Sequence, residues 1–149
     1  MRVHAIDHLN LTVANLEESI AWYSDIFGFE VVERGLRDSG PWAIIRSGDA
    51  LLCIYQDPDR VGPARFRHDS EQRHVIYHWG FRITDRAAWL QKVEEHGLQL
   101  EFGGENVHPH SSNWYVTDPT GYSIEVALWK NNTIRFDRPR TVLQGSLTA

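Results

Sequence analysis

The sequence predicts an α+β fold: two paired βαβββ units forming one cupped mixed sheet, with the helices on its outside. Three observations carry this expectation. The string His4-Ala5-Ile6-Asp7-His8 returns as His74-Val75-Ile76-Tyr77-His78, so that HxIxH recurs at an offset of 70 (4 to 74). The candidate helix caps Asn15 and Asp85 keep that offset (15 to 85), and each is followed by one helical run and three β-type runs. A length of 149 residues suits one domain, so the repeats are halves of a single body and each covers what the other exposes.

In the first unit (4–56), residues 5–13 alternate, with Leu9, Leu11 and Val13 on one side and Ile6, His8, Asn10 and Thr12 on the other. Asn15, with Glu18 three positions on, opens a helix whose apolar face is Leu16, Ile20, Tyr23 and Phe27, and Gly28 ends it. Strands follow at 29–34, 41–47 and 50–56, the last two joined by a Gly48-Asp49 turn. Residues 57–73 turn polar, with Pro58, Gly62 and Pro63 among charges, and read as a linker. The second unit (74–129) opens with a strand over 74–83. A helix follows from the Asp85 cap to Gly97, using Trp89, Leu90 and Val93, and then strands at 98–102, 113–118 and 122–129. Residues 1–129 thus form the domain, and 130–149 form a C-terminal extension packing on the surface or on a partner chain.

Composition narrows the function. With 42% hydrophobic residues and a net charge of −5, the chain lacks the signature of disorder. The single Cys53 excludes an intrachain disulfide and a CxxC zinc ribbon. A pI near 5.9 argues against a non-specific grip on nucleic acid. No apolar run approaches the ~18 residues of a membrane span, and charges interrupt the first 30 residues where a signal peptide needs an apolar core. The expectation is a cytoplasmic protein with a small-molecule substrate, no nucleic acid and no membrane. Eight histidines to one cysteine point to imidazole if a metal is bound.

Three polar residues stand where the strand pattern calls for packing: His8, its repeat-equivalent His78, and Glu125 inside the run YSIEVALW. Two neutral imidazoles and a carboxylate make a facial set that leaves coordination positions open. The repeat mate of Glu125 falls in residues 51–55, LLCIY, which hold no carboxylate, so a four-ligand site with two carboxylates is disfavoured. His4 and His74 also repeat, but they stand at strand starts and read as exposed.

HLNLTV, HWGFRI and DPTGYSIEV together resemble the vicinal oxygen chelate superfamily, which includes glyoxalase I, extradiol ring-cleavage dioxygenases, methylmalonyl-CoA epimerases, fosfomycin-modifying thiol transferases and bleomycin-binding proteins. The resemblance covers residues 4–129. It implies a divalent metal in the cup on His8, His78 and Glu125. Cys53 or Tyr55 lies where the glyoxalase I branch places a fourth, carboxylate ligand.

Asn106-Val107-His108 followed by Trp114-Tyr115, Asp118-Pro119, Gly121 and Glu125 is similar to the extradiol dioxygenase signature, with Trp114 departing from an aliphatic or Phe. That similarity implies an extradiol-type dioxygenase acting on a small aromatic diol, with Fe(II) favoured and Mn, Ni or Zn as alternatives. Tyr115 would orient substrate, and His108 or His110 would serve as the acid/base. The alternative is a metal-dependent thiol transferase, lyase or isomerase, with Asn10, Arg46 and Arg82 binding an anionic substrate. A third reading is a metal-free drug-binding protein using Trp22, Trp42, Trp79 and Trp114 as walls. Cys53 reads as a buried small hydrophobe. The chain is expected to form a homodimer, and the sequence leaves open whether one chain closes the cup or two chains exchange units. Loops 35–41, 57–73 and 103–112 are expected to shape the pocket.

Overall fold

In a computed structural model, which describes residues 3–60 and 76–136, the first alternation forms β1 (Leu9–Val13), with Leu11 and Val13 buried and Asn10 exposed. Residues 61–73 of the expected linker, the strand start at His74 and Val75, and residues 137–149 of the extension lie outside the described residues. Asn15 Oδ1 accepts the Glu18 amide at 3.1 Å and starts α1 (Leu16–Phe27), which ends on Gly28 at φ 65°. β2 (Glu30–Arg37), β3 (Gly40–Ser47) and β4 (Ala50–Gln56) complete the first unit. The second unit repeats the order with β5 (Trp79–Ile83), α2 (Arg86–Glu95), a two-residue β6 (Asn106–Val107), β7 (Ser111–Thr117) and β8 (Ser123–Trp129). Asp85 caps α2 through the Ala88 amide at 3.0 Å.

The expected duplication appears as two four-stranded sheets of the same order, β1-β4-β3-β2 and β5-β8-β7-β6, each with one parallel pair, β1/β4 and β5/β8. Registers match as well. Asn10 lies opposite Cys53 as Gly80 lies opposite Glu125, so Cys53 holds in the first sheet the place of Glu125 in the second.

The structure corrects several expected boundaries. Both opening strands begin later than the alternation suggests: β1 pairs with β4 only from Leu9 opposite Leu52, and β5 pairs with β8 only from Trp79 opposite Ile124, one residue past each candidate histidine. The expected loop 35–41 is instead strand on both sides of Asp38-Ser39. The strand expected at 98–102 does not form. Leu98–Leu100 is irregular and Glu101–Gly103 is a short 3-10 turn, since Phe102, Gly103 and Gly104 all take positive φ, which no strand accommodates.

One core joins both units, holding Leu11, Tyr23, Ile45 and Ile54 from the first with Trp89, Trp114, Ile124 and Val126 from the second. Phe27 stacks on Trp89 at 5.9 Å and meets Phe81 at 5.0 Å, so the end of α1 is wedged against α2 and β5. Tyr122 Oη donates to the Thr12 carbonyl at 3.0 Å, a second tie between units. The third is buried: Tyr23 Oη donates to Asp118 Oδ2 at 2.9 Å, while Asp118 Oδ1 accepts the amides of Thr120, Gly121 and Tyr122 at 2.8–3.0 Å. Burial pushes the Asp118 carboxyl above its usual range, and these donors pull it part of the way back. Among the described residues no helix is long and apolar enough to cross a membrane.

Tyr23→Phe strips Asp118 of one donor, and its expected cost is about 1.5–3 kcal/mol of unfolding free energy by urea titration, the range for hydrogen bonds to charged groups. Burial, and then the Asp118 charge, hold the Tyr23 hydroxyl well above its ordinary 10.0. The native chain therefore keeps a proton that the unfolded chain releases near pH 10, so stability falls as pH rises through that value. The fall should be shallower in Tyr23→Phe.

Candidate metal centre and its cleft

Alternation along β7 and β8 sends Trp114, Val116, Ile124 and Val126 into the core and leaves Asn113, Tyr115 and Glu125 on the opposite face. Glu125 stands directly across from Tyr115 on one side and from Gly80 on the other. His78 lies just before β5, as His8 lies just before β1. The glycine matters here, because a Cβ at position 80 would stand 3.3 Å from the Glu125 carbonyl oxygen and 3.5 Å from its Cβ. A larger residue would press on the β8 backbone at Glu125, which would have to give by a few tenths of an ångström.

The two candidate ligands meet. His78 Nε2 is 3.1 Å from Glu125 Oε2, and each side chain is about three quarters buried. Asn113 Nδ2 donates to the other carboxylate oxygen, Oε1, at 2.6 Å. Tyr115 packs edge-on against the His78 ring at 5.2 Å, and Phe102 packs edge-on against Tyr115 at 5.1 Å. His78, Asn113, Tyr115 and Phe102 line a cleft of about 350 Å³ that also takes in Tyr77 and His108, with Glu125 reaching it through His78 and Asn113. Two polar atoms are buried without a hydrogen-bond partner at this place, His78 Nδ1 and Asn113 Oδ1.

His8 lies outside this cleft. Its Nδ1 lies 2.8 Å from Asp7 Oδ2 and its side chain is 46% exposed. It lines a second cleft of about 460 Å³ whose opposite wall includes His78 and the start of β5, so His78 borders both. Among the described residues no three His, Cys, Asp or Glu side chains come together as a metal site. A nitrogen and a carboxylate oxygen side by side fit two positions of a facial set, and the third must come from beyond the pair.

The remaining candidates separate cleanly. His108 lines the cleft, and its loop is held by Lys130 Nζ, which donates to the carbonyls of His108 at 3.3 Å and Pro109 at 2.8 Å. His110 faces a different hollow with Lys130 and Arg135. Asn10 is exposed on β1 opposite Cys53. Arg46 Nε braces its own turn at the Gly48 carbonyl, 2.7 Å away. Arg82 lines a groove with Phe27 and Lys92 rather than the cleft. Cys53 is buried, and burial, followed by the Asp7 charge, pushes its thiol up, which suits a packing residue. Trp114 is core, 1% exposed.

Asn113 and Phe102 were not anticipated. Asn113 carries the same signal as Glu125, a polar residue on the strand face two places from Tyr115. Phe102 carries none, since its position depends on a backbone turn that alternation conceals.

A family model described as the Glyoxalase/Bleomycin resistance protein/Dioxygenase superfamily matches residues 5–126. Among curated proteins, the chain is 26% identical over 142 residues to the catechol-2,3-dioxygenase of Bacillus subtilis (strain 168), covering 93% of this chain and 44% of that protein. It is 23% identical over 128 residues to the metallothiol transferase FosB of Staphylococcus epidermidis (strain ATCC 12228 / FDA PCI 1200), covering 85% of this chain and 82% of that protein. The crystal structure of a glyoxylase/bleomycin resistance protein/dioxygenase domain from Frankia sp. EAN1pec superposes with a TM-score of 0.72 at 17% identity, over 89% of this chain and 96% of that one, a likeness of fold. The chain spans less than half the length of the catechol dioxygenase it matches.

Proposed function

The chain belongs to the Glyoxalase/Bleomycin resistance protein/Dioxygenase superfamily, and from that premise we propose that it is a divalent-metal-dependent dioxygenase of the extradiol type acting on a small aromatic diol. The observation that carries this reading is the His78–Glu125 pair, 3.1 Å apart, whose histidine lines a cleft walled by aromatic rings. His78 and Glu125 would hold the metal, Fe(II) by preference, with His8 of a second copy of the chain as the third ligand in a homodimer. A divalent ion held this way supplies Lewis acidity and open coordination positions when bound.

The other residues act on the substrate or on the ligands. Asn113 Nδ2 donates to Glu125 Oε1, which would orient the carboxylate and leave its other oxygen free to hold the metal. Tyr115 Oη orients one substrate hydroxyl beside His78. The His108 imidazole takes a proton from that hydroxyl as the ring binds, being the histidine of the 108/110 pair that reaches the cleft. Phe102 and Tyr77 exclude water from one side of the ring.

The test is oxygen uptake by protein loaded anaerobically with Fe(II) and offered a panel of catechols. Consumption of O₂ in equal amount to a diol is expected, and no uptake with any member of the panel would overturn the reading. A second reading, metal-dependent thiol transfer, is favoured by length: the chain covers 82% of the thiol transferase against 44% of the dioxygenase. It predicts thiol-dependent loss of an epoxide and no oxygen uptake.

A further inference from the structure

Between Leu100 and Asn106 the backbone turns through three consecutive residues of positive φ: Phe102 at 54°, Gly103 at 78° and Gly104 at 108°. Glycine adopts such angles freely. For phenylalanine the left-handed region brings Cβ against the following carbonyl, a steric cost that persists only where surrounding structure enforces it. The enforcement is visible at both ends of the turn. Glu101 accepts the Thr117 hydroxyl at 2.5 Å and the Ser123 hydroxyl at 3.3 Å, pinning the entry to β7 and β8. Glu105 pairs with Arg86 at the start of α2, pinning the exit, and the Gly104 amide closes the turn on the Glu101 carbonyl at 3.2 Å.

Core packing does not repay this cost. Phe102 is 58% exposed and outside the core that joins the two units. The turn does place its ring edge-on to Tyr115 at 5.1 Å, and Tyr115 stands edge-on to His78 at 5.2 Å, so three rings run in series from the rim of the cleft to the candidate ligand. Behind them Asn113 is 9% exposed, and its Oδ1, buried and without a hydrogen-bond partner, is an acceptor awaiting a donor.

We propose that Phe102 is a specificity-determining residue: the strained turn holds its ring as the outer wall of the cleft, which admits a planar aromatic ring against the Phe102–Tyr115 side and discriminates against saturated rings of the same size. The Asn113 Oδ1 atom accepts a hydrogen bond from a hydroxyl at the ring's edge. This rests on the proposed function only in taking the cleft as the substrate site, since recognition of the ring requires neither the metal nor oxygen.

The test compares catechol with cyclohexane-1,2-diol, which differ in planarity and share two adjacent hydroxyls, by calorimetry on the full chain without added metal. The wild type should prefer catechol. Phe102→Gly removes the wall and relieves the backbone. Phe102→Leu keeps the backbone cost and an apolar wall but loses the plane. Both should reduce the preference by about tenfold, the upper range for an aromatic pair, with Phe102→Tyr retaining it. Phe102→Gly should melt no lower than wild type, an outcome foreign to a residue whose role is packing. A preference surviving in the Gly and Leu variants, or a wild type with no preference, overturns the proposal. A wild type that prefers catechol yet consumes no oxygen with any catechol overturns the dioxygenase reading alone and leaves this one standing.

Discussion

Glu125→Gln is expected to lose divalent-metal affinity by at least about 100-fold, beyond the 10–100-fold typical of residues that merely orient ligands, while its melting temperature stays close to wild type. The substitution is nearly isosteric, and its amide oxygen can still accept from Asn113 Nδ2, so the 2.6 Å contact that positions the side chain survives. What disappears is the negative charge facing His78 Nε2. In the metal-free chain folding should lose little, because the glutamine keeps a polar group of the same shape against His78 Nε2, and a ring nitrogen can hydrogen-bond an amide as well as a carboxylate. Affinity and stability should therefore come apart. Mn(II) binding followed by electron paramagnetic resonance, beside a thermal melt, reads both on one sample. Wild-type Mn(II) affinity in Glu125→Gln would remove the candidate metal centre.

The ease with which residues were found from sequence follows the physics that places them. Glu125 and His78 were legible because strand alternation is a local rule and the duplication supplied a second copy against which to check it. The matched registers, Asn10 with Cys53 and Gly80 with Glu125, are the same rule expressed in hydrogen bonds. Phe102 was illegible because LQLEF satisfies that rule while its last residue obeys another. Its φ is set by Glu101 reaching Thr117 and Ser123, residues 16 and 22 positions away, and no local window contains them. Strand starts failed for a related reason: alternation continues into residues 5–8, but a strand lasts only as far as its pairing, which begins with Leu9 opposite Leu52. The relation of the two units also lay beyond the sequence. HxIxH in each half announces a pair of equivalent histidines. Which faces of the two sheets meet is decided by Phe27 wedging against Trp89 and Phe81, and by Tyr23 reaching Asp118 across the joint.

Mixing His8→Ala chains with Glu125→Ala chains is expected to restore metal binding that neither possesses alone. In one chain the shared core is formed by the core-facing sides of both sheets, and the opposite faces, with Asn10 on one and Glu125 on the other, are turned away from it. His8 is then 46% exposed and engaged with Asp7, and His78–Glu125 lacks a third donor among the described residues. A second copy related by a twofold axis could present its His8 to this pair while receiving the same service, which makes the interface isologous and closes the assembly at two chains. The arithmetic of the mixture is distinctive. In a heterodimer, His8 comes from the Glu125→Ala chain and His78 with Glu125 from the His8→Ala chain, giving one intact site and one carrying both lesions. Random pairing of equal amounts makes half the dimers heterodimeric, so metal capacity should return to about a quarter of wild type. Zn(II) titration against a chromophoric chelator, after co-refolding the two variants, counts the sites. Recovery near that fraction requires ligands from both chains, since a site contained in one chain carries its lesion into every pairing and gives no recovery. Dilution supplies an independent check, because metal affinity of the wild type should fall once the chain concentration drops below the dimer dissociation constant.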